Sequence, residues 1–379
     1  MTRPRLTIAA LVAAITLGAA LGAWLASRPT STTVAAPEGR LLSLTPLPDG
    51  RALWLGLDAE GAPMASLLDP EHLTWAPRKP PPALNPGHSA TALDANRILI
   101  VGGQGRGHRA MILHLSLDRT IEVATAPSAR AYHTATRLWN GDILLAGGLD
   151  PEADDMEASE TLEIYDPAKN TWYPAGRMSS PRHLHTATLL NDGRVLIAGG
   201  VSPGCCILAT ADLYDPATGA LSPAPDMAHE RVSHQAVALP DGRALIIGGA
   251  TMVGAAAPPL SASELFDPRT NAWTPAAPLP EARCDLGALT LPDGRVLTAG
   301  GWWRRPTSGP LRTLTRIQQR LGVDPEGPQR STALYDPSDD TWSDGPSLNQ
   351  PHLNPSILLT PRHLLILSPY TAADALSPL

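Results

Sequence analysis

Four histidines, His88, His133, His185 and His234, and four arginines, Arg130, Arg182, Arg231 and Arg283, recur along the chain at nearly regular intervals. Three of the arginines stand three residues before a histidine of the set. A ring of imidazoles would point to metal binding or acid–base chemistry. Planar, permanently charged guanidinium forks would hold carboxylates or other anions. The plainer reading is that a residue recurring once per repeat makes the same contact each time. Packed sheets lie about 10 Å apart, too far for neighbouring imidazoles to share a zinc ion at about 2 Å. No metal and no cofactor is therefore expected, and no catalytic residue is assigned. The arginines stay as binding candidates.

A second group of chemically capable residues follows Gly300-Gly301. Trp302, Trp303, Arg304 and Arg305 combine aromatic faces with guanidinium forks, a pairing suited to acidic sugars or an anionic protein surface. Leu311, Leu314, Ile317 and Leu321 then recur at helical spacing between Pro310 and Gly322, which predicts a short helix. On it Arg312, Arg316 and Arg320 fall four apart and form one basic stripe. Acidic residues Asp150, Glu152, Asp154, Asp155, Glu157 and Glu160 follow Gly147-Gly148 without the spacing of a known calcium loop, so they read as a solvated loop. Cys205, Cys206 and Cys284 are an odd count; the adjacent pair reads as ordinary thiols, with a strained vicinal disulfide as the alternative.

The elements that must position these residues form a repeat. It is clearest from Arg182 to Leu221: an alternating run ending at Leu190, a tight turn at Asn191-Asp192-Gly193, and an apolar run Val195–Ala198 closed by Gly199-Gly200. A third strand ends at Asp215-Pro216, and a fourth lies near Leu221. Arg130, Arg182, Arg231 and Arg283 each stand eleven residues before a turn glycine, and each of those glycines stands six before Gly147, Gly199, Gly248 or Gly300. Asp69, Asp166, Asp267 and Asp336, each followed by proline, stand six before Trp75, Trp172, Trp273 and Trp342; Leu221 takes that place in one unit. One four-stranded sheet of this size cannot bury its own faces, so the units must stack.

The double glycine, the aromatic before Asp-Pro (Tyr165, Tyr214, Phe266, Tyr335) and the later tryptophan resemble kelch repeats. The resemblance runs from about residue 31 to the end and implies an all-β fold, a β-propeller with one four-stranded blade per repeat. It also brings two enzyme precedents. The galactose-oxidase-like copper enzymes are expected to need two tyrosines, two histidines and a cysteine joined to a tyrosine; here only Tyr132-His133 offers a Tyr-His pair. A periplasmic mutarotase-like enzyme needs only an acid and a base beside a sugar pocket.

Composition agrees with one large repeat domain, because the prolines and glycines are placed periodically rather than in a low-complexity run. A net charge of −7 and a pI near 5.9 argue against nucleic acid as a partner. Ahead of the repeats, Leu6 to Ala26 is uncharged and almost wholly apolar. At about 1.5 Å per residue it can cross a hydrocarbon core about 30 Å thick. Residues 1–28 read as a transmembrane signal anchor, with a cleaved signal peptide as the alternative, since Leu25-Ala26-Ser27 is a poor cleavage site. Arg3 and Arg5 place the tail inside and the propeller outside the cytoplasm. Residues 29–40 are a short connection, and 41–379 the propeller, interrupted by the insertion 302–330.

Leu353 to Leu379 supplies only half a blade, and a propeller must close its ring. Thr32-Thr33-Val34 lies where a repeat would place a fourth strand, so seven blades are expected rather than six, the last shared between the chain's two ends. In a four-stranded meander the loops between strands two and three share a face with the links between blades. The repeated Arg and His positions and the insertion therefore sit on one face, and a membrane segment leading into a fourth strand attaches at the other. The function expected is a non-catalytic propeller of the cell envelope, binding a protein or glycan through the loop face, with the membrane touched only by the N-terminal segment.

Overall fold

The computed structural model describes residues 32–105, 107–153, 157–204, 206–252, 258–303, 327–360, 362–368 and 371–376. The segment 1–28 and the helix expected within 310–322 lie outside them. Among the described residues no helix is long and apolar enough to cross a membrane.

Seven four-stranded antiparallel sheets are arranged in a ring. Blade 1 is Arg40–Pro46, Ala52–Leu57, Pro63–Asp69 and Thr74–Arg78, and blades 2 to 6 begin at Ser89, Thr134, Thr186, Gln235 and Gly287. Innermost strands of successive blades lie side by side along the axis. Second strands such as Val195–Ala198 and Ala244–Ile247 are buried along their whole length, because both of their faces meet a neighbouring sheet. The core is accordingly a series of apolar clusters between blades; one joins Leu196 and Leu213 of blade 4 to Ile246 and Phe266 of blade 5.

Closure is the expected one. Blade 7 is Ser356–Leu359, Leu364–Ser368 and Thr371–Leu376 with Thr32–Val34 as its outer strand. Thr32, Thr33 and Val34 pair antiparallel with Ala375, Asp374 and Ala373. Val34 then joins Leu365, Leu367 and Ala375 in a cluster that reaches Ala52 and Leu68 of blade 1. The outer strand enters from the face that carries the hairpins between first and second strands, opposite the loop face.

Blade 2 ends its third strand at His114, and Leu117 and Asp118 belong to the following turn, where Asp118 takes the left-handed conformation that Asn170 and Asn271 take in theirs. The recurring tryptophans are hooks between blades: the indole N–H of Trp172, Trp273 and Trp342 donates to the carbonyl of Ala124, Pro225 and Ala277 at the preceding blade's outer edge (2.7, 2.6 and 2.8 Å). At the seam between blades 7 and 1, Trp75 Nε1 meets no such acceptor among the described residues.

Candidate functional site

The loop face is built by the double glycines. The second glycine of each pair donates its N–H to the next blade's Arg130, Arg182, Arg231 or Arg283 carbonyl, from Gly103, Gly148, Gly200 and Gly249 (2.8–2.9 Å). The first glycine faces the same carbonyl so closely that a Cβ on Gly147 would stand 2.3 Å from the oxygen of Arg182. Its φ of +59° also disfavours any side chain. Two glycines are required here by contact and by backbone together.

The four arginines sit in this joint and not at the surface. Their side chains are 0–2% exposed. Nη1 of each caps the first-glycine carbonyl of its own blade, at Gly147, Gly199, Gly248 and Gly300. Nη2 meets a carboxylate: Glu163 at 3.0 Å for Arg130, Asp212 at 2.9 Å for Arg182 and Glu264 at 2.5 Å for Arg231. Arg283 instead pairs with Glu281 at 2.9 Å, because Ala333 holds the acidic place in blade 6. Burial pulls the guanidinium pKa values down, and the facing carboxylates pull them back up. The expectation that these forks hold an outside anion is thus corrected: each is out of solvent and already bonded within its blade. The acid partners carried a sequence signal that was not used, an Asp or Glu two residues before the aromatic of the third strand. In blade 7 the same two places hold His352 and Asp374, paired at 3.0 Å with both side chains fully buried.

The histidines form the inner half of the joint. Nε2 of His88, His133, His185 and His234 meets the hydroxyl of Ser43, Ser89, Thr134 and Thr186 on the preceding innermost strand, at 2.8, 2.8, 3.0 and 3.0 Å. Burial, with help from the neighbouring arginine, holds His133 and His185 well below the ordinary imidazole value, and His234 is lowered to about 3. These imidazoles are neutral parts of the wall. A pH prediction follows. Each unfolded imidazole binds its proton below about pH 6.5, whereas the folded one does not until far lower, so stability falls as pH drops through 6 toward 4. The slope is about 1.4 kcal/mol per pH unit for each such group. Denaturant melts at pH 7 and pH 5 should differ accordingly, and His185→Gln should reduce the difference.

What the loop face leaves open is a ring of residues just ahead of the innermost strands. Tyr132, Leu184, Ser233, Asp285 and Asn354 all have φ between +48° and +56°, and Gly87 holds the same place in blade 2. Their backbones touch around the axis: Tyr132 N–H donates to Gly87, Asp285 to Ser233 and Asn354 to Asp285 (2.8–3.0 Å). Leu184 and Asn354 are exposed, and the other three half-buried. Burial raises the Asp285 carboxyl above the usual range, against hydrogen bonds from Ser233 and Cys284. The Cys284 thiol is pushed up to about 12 by burial.

Of the insertion, Trp302 and Trp303 form a two-stranded ribbon with Gly327 and Pro328. Trp302 packs half-buried against Val201, Val232, Ala250 and Cys284, so part of its aromatic surface serves the loop face itself. Arg304, Arg305, Arg312, Arg316 and Arg320 lie outside the described residues, as do Asp154, Asp155 and Cys205. Cys206 is exposed. Elsewhere, a cleft of about 600 Å³ opens on the hairpin face between blades 5 and 6, but its Asp241, Asp293 and Asp336 are held by Arg243, Arg295 and Ser338.

The copper expected of a galactose-oxidase-like site does not fit these donors. The repeated imidazoles sit within the wall, each Nε2 engaged by a hydroxyl, and among the described residues no group of three or more His, Cys, Asp or Glu could hold a metal ion.

Comparison with known proteins agrees with this geometry. A family model described as the kelch motif matches residues 130–179, which is blade 3 from its arginine to just past its outer strand. An F-box/kelch-repeat protein of Arabidopsis thaliana is 31% identical over 142 residues, 33% of this chain and 29% of that protein. Kelch-like protein 35 of Homo sapiens is 26% identical over 153 residues, 39% of this chain and 25% of its own length. The chain thus spans under a third of either relative. Among solved structures, a fungal alcohol oxidase of the AA5 family in complex with copper is similar at a TM-score of 0.69 and 16% identity, over 93% of this chain and 76% of that one. The structure of YjhT is similar at 0.55 and 16% identity, over 78% and 94%. At these identities the likeness is one of fold. The chain carries the kelch motif and is a seven-bladed β-propeller.

Proposed function

We propose that this protein is a binding propeller of the cell envelope, held or exported by its apolar N-terminal stretch, that takes a protein or glycan partner at the loop-face mouth of its axis. The left-handed ring carries this reading. Glycine is the residue such backbones favour, and a tyrosine or leucine there costs on the order of 1 kcal/mol or more. Five blades nonetheless place five different side chains at this one fixed backbone position. Backbone preference accounts for Asp285 and Asn354 but not for Tyr132 and Leu184, and contact with something outside the fold would account for those two. Conserved geometry with varied side chains is how a rigid scaffold presents a binding surface. The bonds that the arginines and histidines make inside the wall leave them to the scaffold, and Trp302, packed against Cys284 next to Asp285 of the ring, offers a second contact region.

A variant with Tyr132→Gly, Leu184→Gly and Asn354→Gly tests the reading, in protein lacking residues 1–28. It is expected to lose no stability, or to gain up to about 1 kcal/mol per site, while losing capture of the partner from envelope extract or immobilised glycan. Undiminished capture by the stabilised variant would count against the mouth. Sugar anomerisation by the parent protein would replace the binding reading with an enzymatic one.

A further inference from the structure

The hairpin face, opposite the mouth, carries an observation of its own. At the tip of the first hairpin of blade 3, Trp139 is 68% exposed, and at a turn of blade 2, Leu117 is 63% exposed. The Trp139 ring lies over Gly193 of blade 4, where a Cβ would stand only 3.2 Å from it, so one side of the indole is supported and the other is open. Four of the first hairpins close an acid on an arginine within the turn, while Asp142, in the hairpin of Trp139, is held by Asn140. Asp49–Arg51, Asp192–Arg194, Asp241–Arg243 and Asp293–Arg295 each pair at 2.6 Å.

Chain length brings this face to a membrane. Thr32 starts the outer strand of blade 7 from the hairpin face, and only residues 27–31 separate it from the uncharged stretch ending at Ala26. Five residues reach about 17 Å at most. Blade 3 stands three places from blade 7 in a ring of seven, on the far side of the axis. A tether at blade 7 and an indole at blade 3 would support the disc from both sides.

We propose that the hairpin face rests on the phospholipid bilayer, with Trp139 seated at the headgroup level and Leu117 on the same face, so that the axis stands upright and the mouth points away. This rests on the N-terminal stretch being a membrane anchor. Tryptophan suits the interface because its ring is apolar and its N–H polar. Because the arginines of four hairpins are each already paired with an acid of the same turn, the contact draws on no anionic lipid and resists salt.

The test uses the full chain in phosphatidylcholine nanodiscs containing lipids brominated near the headgroup end of the acyl chain. Trp139→Tyr should remove quenched emission corresponding to one of the nine tryptophans, with no dependence on salt. Equal quenched emission in both proteins overturns the contact, as it would if a second copy covered this face. Carbonate washing separates the two readings. Protein that stays in the membrane without Trp139 quenching overturns the lipid contact alone, whereas protein released by the wash overturns the anchor and the contact together.

Discussion

Deleting residues 29–36 from protein that already lacks 1–28 is expected to destabilise the propeller by about 4–6 kcal/mol, and to leave a chain that self-associates. The size follows from what Thr32–Val34 supplies. Val34 is buried in the cluster joining blades 7 and 1, and a fully buried valine contributes about 1.5–3 kcal/mol. Three residues pair with Ala373–Ala375, at about 1 kcal/mol for each hydrogen bond formed. Their loss also bares the edge of Thr371–Leu376, an invitation to pair with another chain. Equal denaturant midpoints for the two truncations, with both monomeric in light scattering, would refute the closure.

Arg182→Met is the second large effect. It removes one partner of a pair whose two side chains are 0% and 1% exposed. The substitution leaves the Asp212 carboxylate without its countercharge, with only the Ser179 donors, and uncaps the carbonyls of Gly199 and Thr210. Breaking a buried pair from one side costs about 3–5 kcal/mol, and replacing both partners by apolar groups recovers much of it. Arg182→Met with Asp212→Leu should therefore be more stable than Arg182→Met alone in urea melts. A double variant no better than the single one would mean that the arginine acts mainly through the carbonyls it caps.

The ring was legible in the sequence because its spacing is imposed by contact. Gly147 and Gly199 cannot move relative to Arg182 and Arg231 without a side chain striking a carbonyl, so insertions accumulate elsewhere and the register survives. Thr32-Thr33-Val34 could be placed as the closing strand for that reason. The role of the arginines was harder to read, since a fork that holds an outside anion and one that holds Asp212 from within look alike until burial is known. Glu163, Asp212 and Glu264 were readable partners, fixed two residues before an aromatic, but their meaning depended on which arginine they would face. Least legible was the mouth. Left-handed backbone is signalled by Gly, Asn or Asp, and Tyr132 and Leu184 carry no such signal; repetition of the backbone, not residue type, puts them there.

Closure of the ring by the first described strand underlies the rest, because it fixes both the blade number and the face from which Thr32 enters. Amide hydrogen exchange measured by mass spectrometry on the peptides covering Thr32–Val34 and Thr371–Leu376 tests it most directly. The account predicts that the hydrogen-bonded amides of both peptides are protected together, opening with the neighbouring blades. Exchange of Thr32–Val34 at the rate of an unstructured peptide, while Val195–Ala198 stays protected, would contradict it.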